Sequence, residues 1–243
     1  MRRRLRIRGA EQGESHPGEA PPGRCAISTK EAIVLLSGGI DSATALLLAK
    51  KTYSVRAITF EYHGIADSEI QSAREVAAEI GVIEHRFVRL PDLREAADIP
   101  GVSFGGLPPT YIPLRNSVFY SFAASYAEET RASALVGGHN KDDALVFADV
   151  SPAFFASLEK AFRAGYPILR SRRLRLLRPL RHMRKHQVVR LASSTGVPLR
   201  LTWSCHQSGK EHCWECAGCL ARSSSFRKAG VEDPLTPDLG KVT

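Results

Sequence analysis

Residues 37–42 read SGGIDS, and this short stretch decides how the whole chain is interpreted. An apolar run, Ala32–Leu36, precedes it, and a run with helical character, Ala43–Lys50, follows it. In an open parallel sheet, ligands bind where a strand ends and the next helix begins. Gly38 and Gly39 lack a Cβ atom, so their backbone can take positive φ and approach a ligand closely. The N–H groups at the start of the helix would point at the loop, so we predict an anion site here.

The residues of this loop also indicate which anion it binds. No Gly-Lys-Ser/Thr follows the glycines, so the stretch is not a Walker A loop. Asp41 places a carboxylate that is unfavourable beside a phosphate unless Mg²⁺ lies between them. Ser37 and Ser42 add hydroxyl groups. The loop therefore predicts a pyrophosphate site with a metal, and the alternative is a tight turn in which Asp41 or Ser42 caps a helix.

Apolar runs and helical patterns alternate along the rest of the chain. We predict strands at Ala32–Leu36, Val55–Phe60, Glu84–Val88, Ala134–Val136 and Arg175–Leu177. We predict helices at Ala43–Lys50, Ser68–Ile80, Ser117–Glu129, Ser151–Ala164 and His186–Ser193, with a loop-rich segment at Pro91–Pro109. This alternation predicts an α/β fold, a Rossmann-like parallel sheet with helices on both faces.

Four cysteines are concentrated near the end of the chain with the spacing C-x7-C-x2-C-x2-C: Cys205, Cys213, Cys216 and Cys219. Four thiolates complete the tetrahedral shell that structural Zn²⁺ prefers, and they exclude Mg²⁺. An iron–sulfur cluster, or a catalytic thiol among the four, stays open, whereas disulfides are disfavoured in a reducing cytosol. We expect His206 and His212 to be surface residues rather than ligands, and Trp203 and Trp214 to cover the metal.

Composition and charge give the expected organisation of the 243 residues. We predict a disordered leader over residues 1–28, a nucleotide-binding α/β domain over 29–200, a zinc-binding segment over 201–235 and a tail over 236–243. The leader lacks the apolar centre of a secretory signal, and no apolar run approaches the ~18 residues of a membrane span. We therefore expect a cytoplasmic protein with no membrane partner.

The formal charge of +9 is compatible with a nucleic-acid partner. Many of the arginines, however, lie in the leader and in the stretch 163–190, and an arginine-rich composition can reflect codon usage alone. We therefore treat binding of nucleic acid as improbable for the main function. A basic zinc-knuckle module that binds RNA stays open as an alternative, although the intact SGGIDS argues against it.

The motif S-G-G-x-D-S resembles the PP-loop of the ATP pyrophosphatases, and the chain as a whole resembles one family among them. Further similar segments are TYIPLRN (110–116), GGHN with KDD (137–143), PL-x4-K (179–185), GVP (196–198) and the cysteine-rich stretch 202–234. Over about residues 30–235 the chain is similar to the 7-cyano-7-deazaguanine synthase family. The resemblance implies that 7-carboxy-7-deazaguanine, ammonia and ATP give the nitrile through an acyl adenylate and an amide, and it suggests a homodimer.

The resemblance also implies roles for individual residues. ATP would contact Ser37, Gly38, Gly39, Ile40, Asp41 and Ser42, with adenine near Thr59 and Phe60. Catalysis would depend on Asp41, Ser42, Arg115 and Lys185, together with Mg²⁺. The 7-deazaguanine carboxylate would contact Arg115, Asn116, Asn140 and Asp143, and its ring would stack on Tyr111, Phe119 or Phe147.

Two loops differ from the commonest family pattern. FEYHGIA (60–66) lacks a Gln-Arg-His trio that follows the second strand in relatives, and DALVFADVS (143–151) lacks a cysteine and an arginine. A second hypothesis is therefore a divergent adenylating enzyme that stops at the amide or acts on another carboxylate, including a protein terminus. Direct sulfur transfer to tRNA would need a cysteine pair outside the metal set, and only Cys25 is spare.

Overall fold

The computed structural model describes residues 30–101, 105–108, 111–165 and 174–236. The predicted leader and nearly all of the predicted tail therefore lie outside the described residues, as does Cys25. The strands are β1 (Glu31–Leu35), β2 (Ser54–Tyr62), β3 (His85–Leu90), β4 (Ala134–Val136) and β5 (Arg175–Leu177). The α-helices are α1 (Ile40–Lys50), α2 (Asp67–Ile80), α3 (Arg115–Thr130), α4 (Asp143–Val146), α5 (Pro152–Gly165), α6 (Lys185–Thr195) and α7 (Ala217–Ala229).

The five strands form one parallel sheet in the order β3-β2-β1-β4-β5. Val34 of β1 pairs with Ala57 on one side and with Val136 on the other. The chain leaves β1 towards β2 and later returns to the opposite edge of β1 as β4. The strand order thus reverses at β1, which makes the carboxyl ends of β1 and β4 the crevice where ligands bind in such sheets.

Both faces of the sheet are covered by apolar helix faces, which confirms the predicted fold class. On one face, Leu46 of α1, Val188 of α6 and Phe226 of α7 join a buried cluster that includes Val34. On the other face, residues of α3 and α5 pack against Ile33 and its neighbours. Strands that are buried on both faces read as apolar runs, which is why the sequence revealed them. None of the described helices has the length and apolarity of a membrane span.

Four helices, α1, α2, α3 and α6, begin earlier than predicted, and in α1, α3 and α6 the shift places predicted functional residues in the first helical turn. Helix α1 begins at Ile40, so Asp41 and Ser42 lie in its first turn. Neither residue is the N-cap, because Gly39 occupies that position without a side-chain cap. Helix α3 begins at Arg115 and helix α6 at Lys185. The predicted substrate and phosphate contacts are therefore fixed by helix starts rather than by loops.

Helix α7 and the short α4 were not predicted, and α7 connects the cysteine-rich segment to the main core. Phe226 and Ala229 of α7 belong to the same buried cluster as α1 and α6. Arg222 of α7 is fully buried and donates two hydrogen bonds to Asp233, at 2.7 and 2.8 Å. It also donates to Thr202, at the start of the segment that leads to the cysteines. A buried ion pair thus fixes both ends of this segment.

We expect Asp233→Ala to lower the free energy of unfolding by about 3–5 kcal/mol, because it leaves the buried Arg222 charge without its partner. Urea unfolding, followed by circular dichroism, measures the effect. The matched control is Glu79→Ala, which removes the exposed ion pair between Glu79 and Arg200 and should cost less than about 1 kcal/mol. Equal losses in the two variants would contradict the assignment of Arg222 and Asp233 as the stabilising pair.

Candidate active site

A cleft of about 240 Å³ opens at the carboxyl ends of β1, β2 and β4. The loop after β1 contributes Ser37, and the first turn of α1 contributes Asp41 and Ser42. The start of α3 and the residues after β4 also line the cleft. The cleft therefore lies at the position where the strand order reverses, as the sequence predicted for the SGGIDS loop.

The hydroxyl groups of the SGGIDS loop hold the loop itself. Ser42 Oγ donates to the carbonyl of Gly39 at 3.0 Å and accepts from the backbone N–H of Ser37 at 3.2 Å. The two serine hydroxyls lie 3.2 Å apart. These bonds close a compact turn between β1 and α1. The serines thus shape the loop in addition to lining the cleft.

Gly38 is required by packing within the protein. It has φ +83°, and a Cβ there would lie 2.5 Å from the carbonyl oxygen of Glu69 and 2.7 Å from the backbone nitrogen of Ala73. Gly39 has φ −77° and does not use the left-handed region. The expected positive φ is therefore confirmed for Gly38 and wrong for Gly39, and the close approach of a ligand to the two glycines stays a prediction.

Asp41 is the centre of the polar groups in the cleft. Its Oδ2 accepts a hydrogen bond from Lys185 Nζ at 2.6 Å and one from Asn140 Nδ2 at 3.2 Å. Its Oδ1 is buried and has no hydrogen-bond partner within the described residues. A buried carboxylate oxygen without a partner is unfavourable in the absence of a ligand. The arrangement fits a divalent cation at Oδ1, with oxygen ligands of the kind that Mg²⁺ prefers.

The turn after β4 approaches the backbone of Asp41 closely. A Cβ at Gly138 would lie 2.7 Å from the carbonyl of Asp41, so only glycine fits there. The side chain of Asn140 accepts the backbone N–H groups of Asp142 and Asp143, and the carboxylate of Asp143 accepts the N–H of Asn140. Burial and the charge of Asp41 raise the pKa of Asp143 to about 6.

Asn140 and Asp143 differ in what they offer to a ligand. Asp143 lines the cleft. Asn140 is buried, and its side-chain hydrogen bonds go to Asp41 and to its own turn. The structure thus places Asp143 where a substrate could contact it and places Asn140 behind Asp41. The predicted substrate contact of Asn140 stays a prediction.

Arg115 and Asn116 enter the cleft from the first turn of α3. Leu114 before them has φ +50°, which turns the chain sharply into the helix. Asn116 is anchored through its backbone N–H, which donates to Asp149 Oδ2 at 3.1 Å, while its side-chain Nδ2 is buried and has no partner within the described residues. Arg115 forms no ion pair within the part of the chain that the structure describes. Both side chains therefore have donors available for an anionic or carbonyl-bearing ligand.

The residues predicted to contact adenine or to stack on the deazaguanine ring do not all line the main cleft. Phe60 lines the cleft and stacks on Phe119, with ring centroids 4.1 Å apart. Thr59 is buried and does not line the cleft, and its hydroxyl donates to the carbonyl of Leu36 at 2.5 Å. Tyr111 and Phe147 are nearly parallel at 6.3 Å and lie beside Arg115 at a smaller cavity. Of the three rings predicted to stack on a base, only Phe119 lines the main cleft.

The four cysteines form a second, separate group. All four sulfur atoms lie within 4.8 Å of one another. The Sγ atoms of Cys213 and Cys219 are 3.8 Å apart, and those of Cys216 and Cys205 are 3.9 Å apart. Backbone N–H groups of Glu215 and Cys216 hydrogen-bond to Cys213 and lower its pKa, which favours the thiolate. The group could hold one metal ion.

The prediction that His212 is a surface residue is wrong. His212 is 6% exposed, and its Nε2 accepts the backbone N–H of Ser204 at 3.0 Å. Its ring lies between those of Trp203 and Trp214, at 4.3 and 5.5 Å. His206 is exposed, as predicted. The imidazole of His212 therefore shapes the cysteine loop from inside instead of facing solvent.

Comparison with known proteins gives the family. A profile described as "Queuosine biosynthesis protein QueC" matches residues 31–230, which is most of the chain. The chain belongs to the QueC family. It is similar to the 7-cyano-7-deazaguanine synthase of Thermoplasma acidophilum, at 36% identity over 85% of this chain and 91% of the relative. The enzyme of the same name from Trichodesmium erythraeum is 35% identical over 84% of this chain and 99% of the relative.

A solved structure of NMN synthetase from Francisella tularensis has 18% identity and a TM-score of 0.46, and covers 84% of this chain and 79% of that one. The QueC assignment depends on the sequence matches alone. The matched region contains both the SGGIDS loop and all four clustered cysteines. The cleft and the cysteine group are thus both parts of the QueC-family region.

Sequence reasoning gave no role to Glu69 and His139, which line the cleft of this QueC-family chain, whereas Tyr62 ends the strand where adenine is expected. Burial raises the pKa of Glu69 to about 7, against the opposing effect of Arg115. Burial lowers the pKa of His139 to about 3, so its ring is neutral, and its Nε2 lies 3.1 Å from Tyr120 Oη. Burial also raises the pKa of Tyr62. Glu69 resembles an ordinary acid in the first turn of a helix, so its pattern carried no signal, whereas His139 lies within the recognised GGHN segment.

Proposed function

We propose that this protein converts 7-carboxy-7-deazaguanine, ammonia and ATP to 7-cyano-7-deazaguanine. The observation that carries the proposal is the contact between Asp41 and Lys185, 144 residues apart in sequence, beside the SGGIDS loop of a QueC-family chain. The curated relatives named 7-cyano-7-deazaguanine synthase support the choice of reaction. The enzyme would be an ATP-dependent carbon–nitrogen ligase.

The first step is adenylation of the substrate carboxylate. One carboxylate oxygen attacks the α-phosphorus of ATP, the bond to the bridging oxygen breaks, and pyrophosphate leaves. Lys185 and the N–H groups at the start of α1 would stabilise the negative charge on the leaving group. Arg115, which has no ion pair within the described residues, would hold the carboxylate in line. Mg²⁺ bound at Asp41 would supply further charge neutralisation on the phosphates.

The second half of the reaction converts the acyl adenylate to a nitrile. Ammonia attacks the acyl carbon, AMP leaves, and the nitrogen loses a proton to give the amide. A second ATP adenylates the amide oxygen with release of pyrophosphate. The nitrogen then loses its remaining protons as the C–O bond to AMP breaks, which leaves the C≡N group. Asp143, whose raised pKa lies near 6, is a suitable proton acceptor at the cleft wall.

We also propose that the cysteine group holds one structural Zn²⁺. A tetrahedral ion with Zn–S bonds of about 2.3 Å places its sulfurs about 3.8 Å apart, and two sulfur pairs lie at 3.8 and 3.9 Å. Backbone N–H groups of Gln207 and Cys216 donate to two of the sulfurs, which is the outer support that thiolate ligands need. Sulfurs this close surround a single ion rather than a cluster of several irons. A cytoplasmic location and a homodimer stay predictions.

One incubation tests the proposed reaction. The purified protein is mixed with ATP, Mg²⁺, ammonium and 7-carboxy-7-deazaguanine, and the products are identified by mass spectrometry. We expect the nitrile, with two AMP released for each nitrile formed. Accumulation of the amide would instead support an enzyme that stops after one adenylation. AMP release without any change in the deazaguanine would overturn the choice of acceptor and leave only the adenylating activity.

A further inference from the structure

Glu69 is a charged residue of the cleft that the adenylation chemistry does not use. It lies in the first turn of α2 and lines the cleft together with Tyr62 and Ile65. Its carboxylate accepts no hydrogen bond from the residues that the structure describes. Its nearest opposite charge is Arg115, which is not close enough for an ion pair. A carboxylate that faces a cleft without a partner is available to a ligand.

We propose that Glu69 binds the donor edge of the deazaguanine ring, that is, N1–H and the exocyclic 2-amino group. The inference rests on the proposed function and names the residue that selects the base. A carboxylate has two acceptor oxygens side by side, and this edge presents two donors side by side. The pair can therefore form two parallel hydrogen bonds.

The physical state of Glu69 supports this role. Taking a carboxylate out of water is unfavourable unless hydrogen bonds replace the lost solvent. Burial raises the pKa of Glu69 to about 7, because the carboxylate has lost solvent that is not replaced by hydrogen bonds. The negative charge of Glu95 raises this pKa further. A ligand that donates two hydrogen bonds would satisfy the carboxylate and favour its ionised form. The same carboxylate would disfavour a phosphate group beside it, so we expect the phosphates of ATP to lie nearer to Lys185.

The chemistry of the two rings that enter the cleft explains why Glu69 would select one of them. Adenine presents an acceptor, N1, next to its 6-amino donor, so a carboxylate meets only one donor there. The guanine-type edge presents two donors and no acceptor between them. The diol of a ribose also offers two donors, and it is the main competing partner for Glu69 on ATP. An experiment must therefore separate the base from the nucleotide.

The test compares two bases with the wild-type protein and with Glu69→Gln. The bases are 7-carboxy-7-deazaguanine and its analogue without the 2-amino group, 7-carboxy-7-deazahypoxanthine. Calorimetry without ATP measures the dissociation constant of each base, and steady-state assays measure KM for base and for ATP. We expect the wild type to prefer the amino-bearing base by at least about 30-fold, since a polar contact that loses its partner is strongly discriminating. In Glu69→Gln the preference should fall below about threefold, with KM for ATP unchanged.

The matched control is Glu75→Gln, an exposed acid of the same helix outside the cleft, which should keep the wild-type preference. A Glu69→Gln protein that keeps the full preference overturns the inference, and so does a rise in KM for ATP with no change for the base. Preference in the binding assay without nitrile formation would leave the inference standing and remove the proposed function. If the wild type forms the nitrile but does not prefer the amino-bearing base, the proposed function stands and the inference about Glu69 is overturned. Failure of the wild type to bind either base would overturn both. Melting temperature and ATP affinity establish that each variant is folded.

Discussion

Asp41→Ala is expected to lower the rate of AMP release by about 10³-fold or more, as for loss of a central electrostatic group in a catalytic site. In the wild type, Asp41 Oδ2 pairs with Lys185, and Oδ1 is buried and free within the described residues. Alanine removes the oxygen that is proposed to bind Mg²⁺ and also leaves Lys185 without its carboxylate partner. The effect should appear mainly in kcat, because the carboxylate acts on charge that develops as pyrophosphate leaves.

The experiment requires evidence that only the site has changed. Pre-steady-state AMP formation gives the rate, while circular dichroism and metal analysis establish the fold and the metal content. Asp67→Ala is the matched control, since Asp67 occupies the first turn of α2 as Asp41 occupies that of α1, but it is exposed and outside the cleft. It should retain wild-type turnover. Wild-type turnover in Asp41→Ala itself would refute the proposed role of the carboxylate.

Cys216→Ser is expected to lose the bound metal and most of the soluble yield. A structural zinc ion in small metal-dependent folds contributes about 10–16 kcal/mol of binding free energy, which the fold uses directly. The cysteine loop has few apolar residues to replace that contribution. The approach of α7 to the loop is also close, because a Cβ at Gly218 would lie 2.0 Å from the carbonyl of Ser204. Loss of the ion should therefore disturb the packing of α7 as well as the loop.

Metal analysis by mass spectrometry, with the soluble fraction from matched expressions, measures this outcome. We expect about one zinc per chain in the wild type, as a single four-thiolate site requires, and almost none in the variant. Cys25→Ser, at a cysteine outside the described residues, is the control and should keep the metal. A stable, active variant without zinc would refute the structural role. Iron with acid-labile sulfide in the wild type would show that the cysteines hold an iron–sulfur cluster instead of zinc.

The sequence predicted the strands of the sheet well, but it predicted the first residues of the helices less well. Parallel strands are buried on both faces, so β1 and β4 are uninterrupted apolar runs that stand out from the chain. Helix starts are recognised by capping side chains, and α1 and α3 have none. Helix α1 follows a glycine, and α3 follows Leu114 in a left-handed conformation. Nothing in local sequence marks either start, so both were predicted too late.

The candidate site was predictable where a motif existed. The SGGIDS motif predicted Asp41 as a site residue, and the resemblance at PL-x4-K predicted Lys185. Only the fold shows that the two side chains are in contact at 2.6 Å. Glu69 was missed because an acid in the first turn of a helix is ordinary, and only the fold shows that it lines the cleft. His212 was misplaced because its burial depends on two tryptophans and on the backbone of Ser204. Contacts of this kind depend on the tertiary structure, so the local spacing of residues does not predict them.

The carbonyl of Gly38 connects the two functional parts of the molecule. It accepts hydrogen bonds from Ser72 Oγ at 2.8 Å and from the backbone N–H of Trp203 at 3.0 Å. Trp203 is separated by one residue from Cys205, the first of the clustered cysteines. The SGGIDS loop is thus braced by the stretch that leads to the cysteine group. If the cysteines hold the proposed zinc ion, its removal is expected to loosen this loop, so that ATP affinity would report on an ion that touches no substrate.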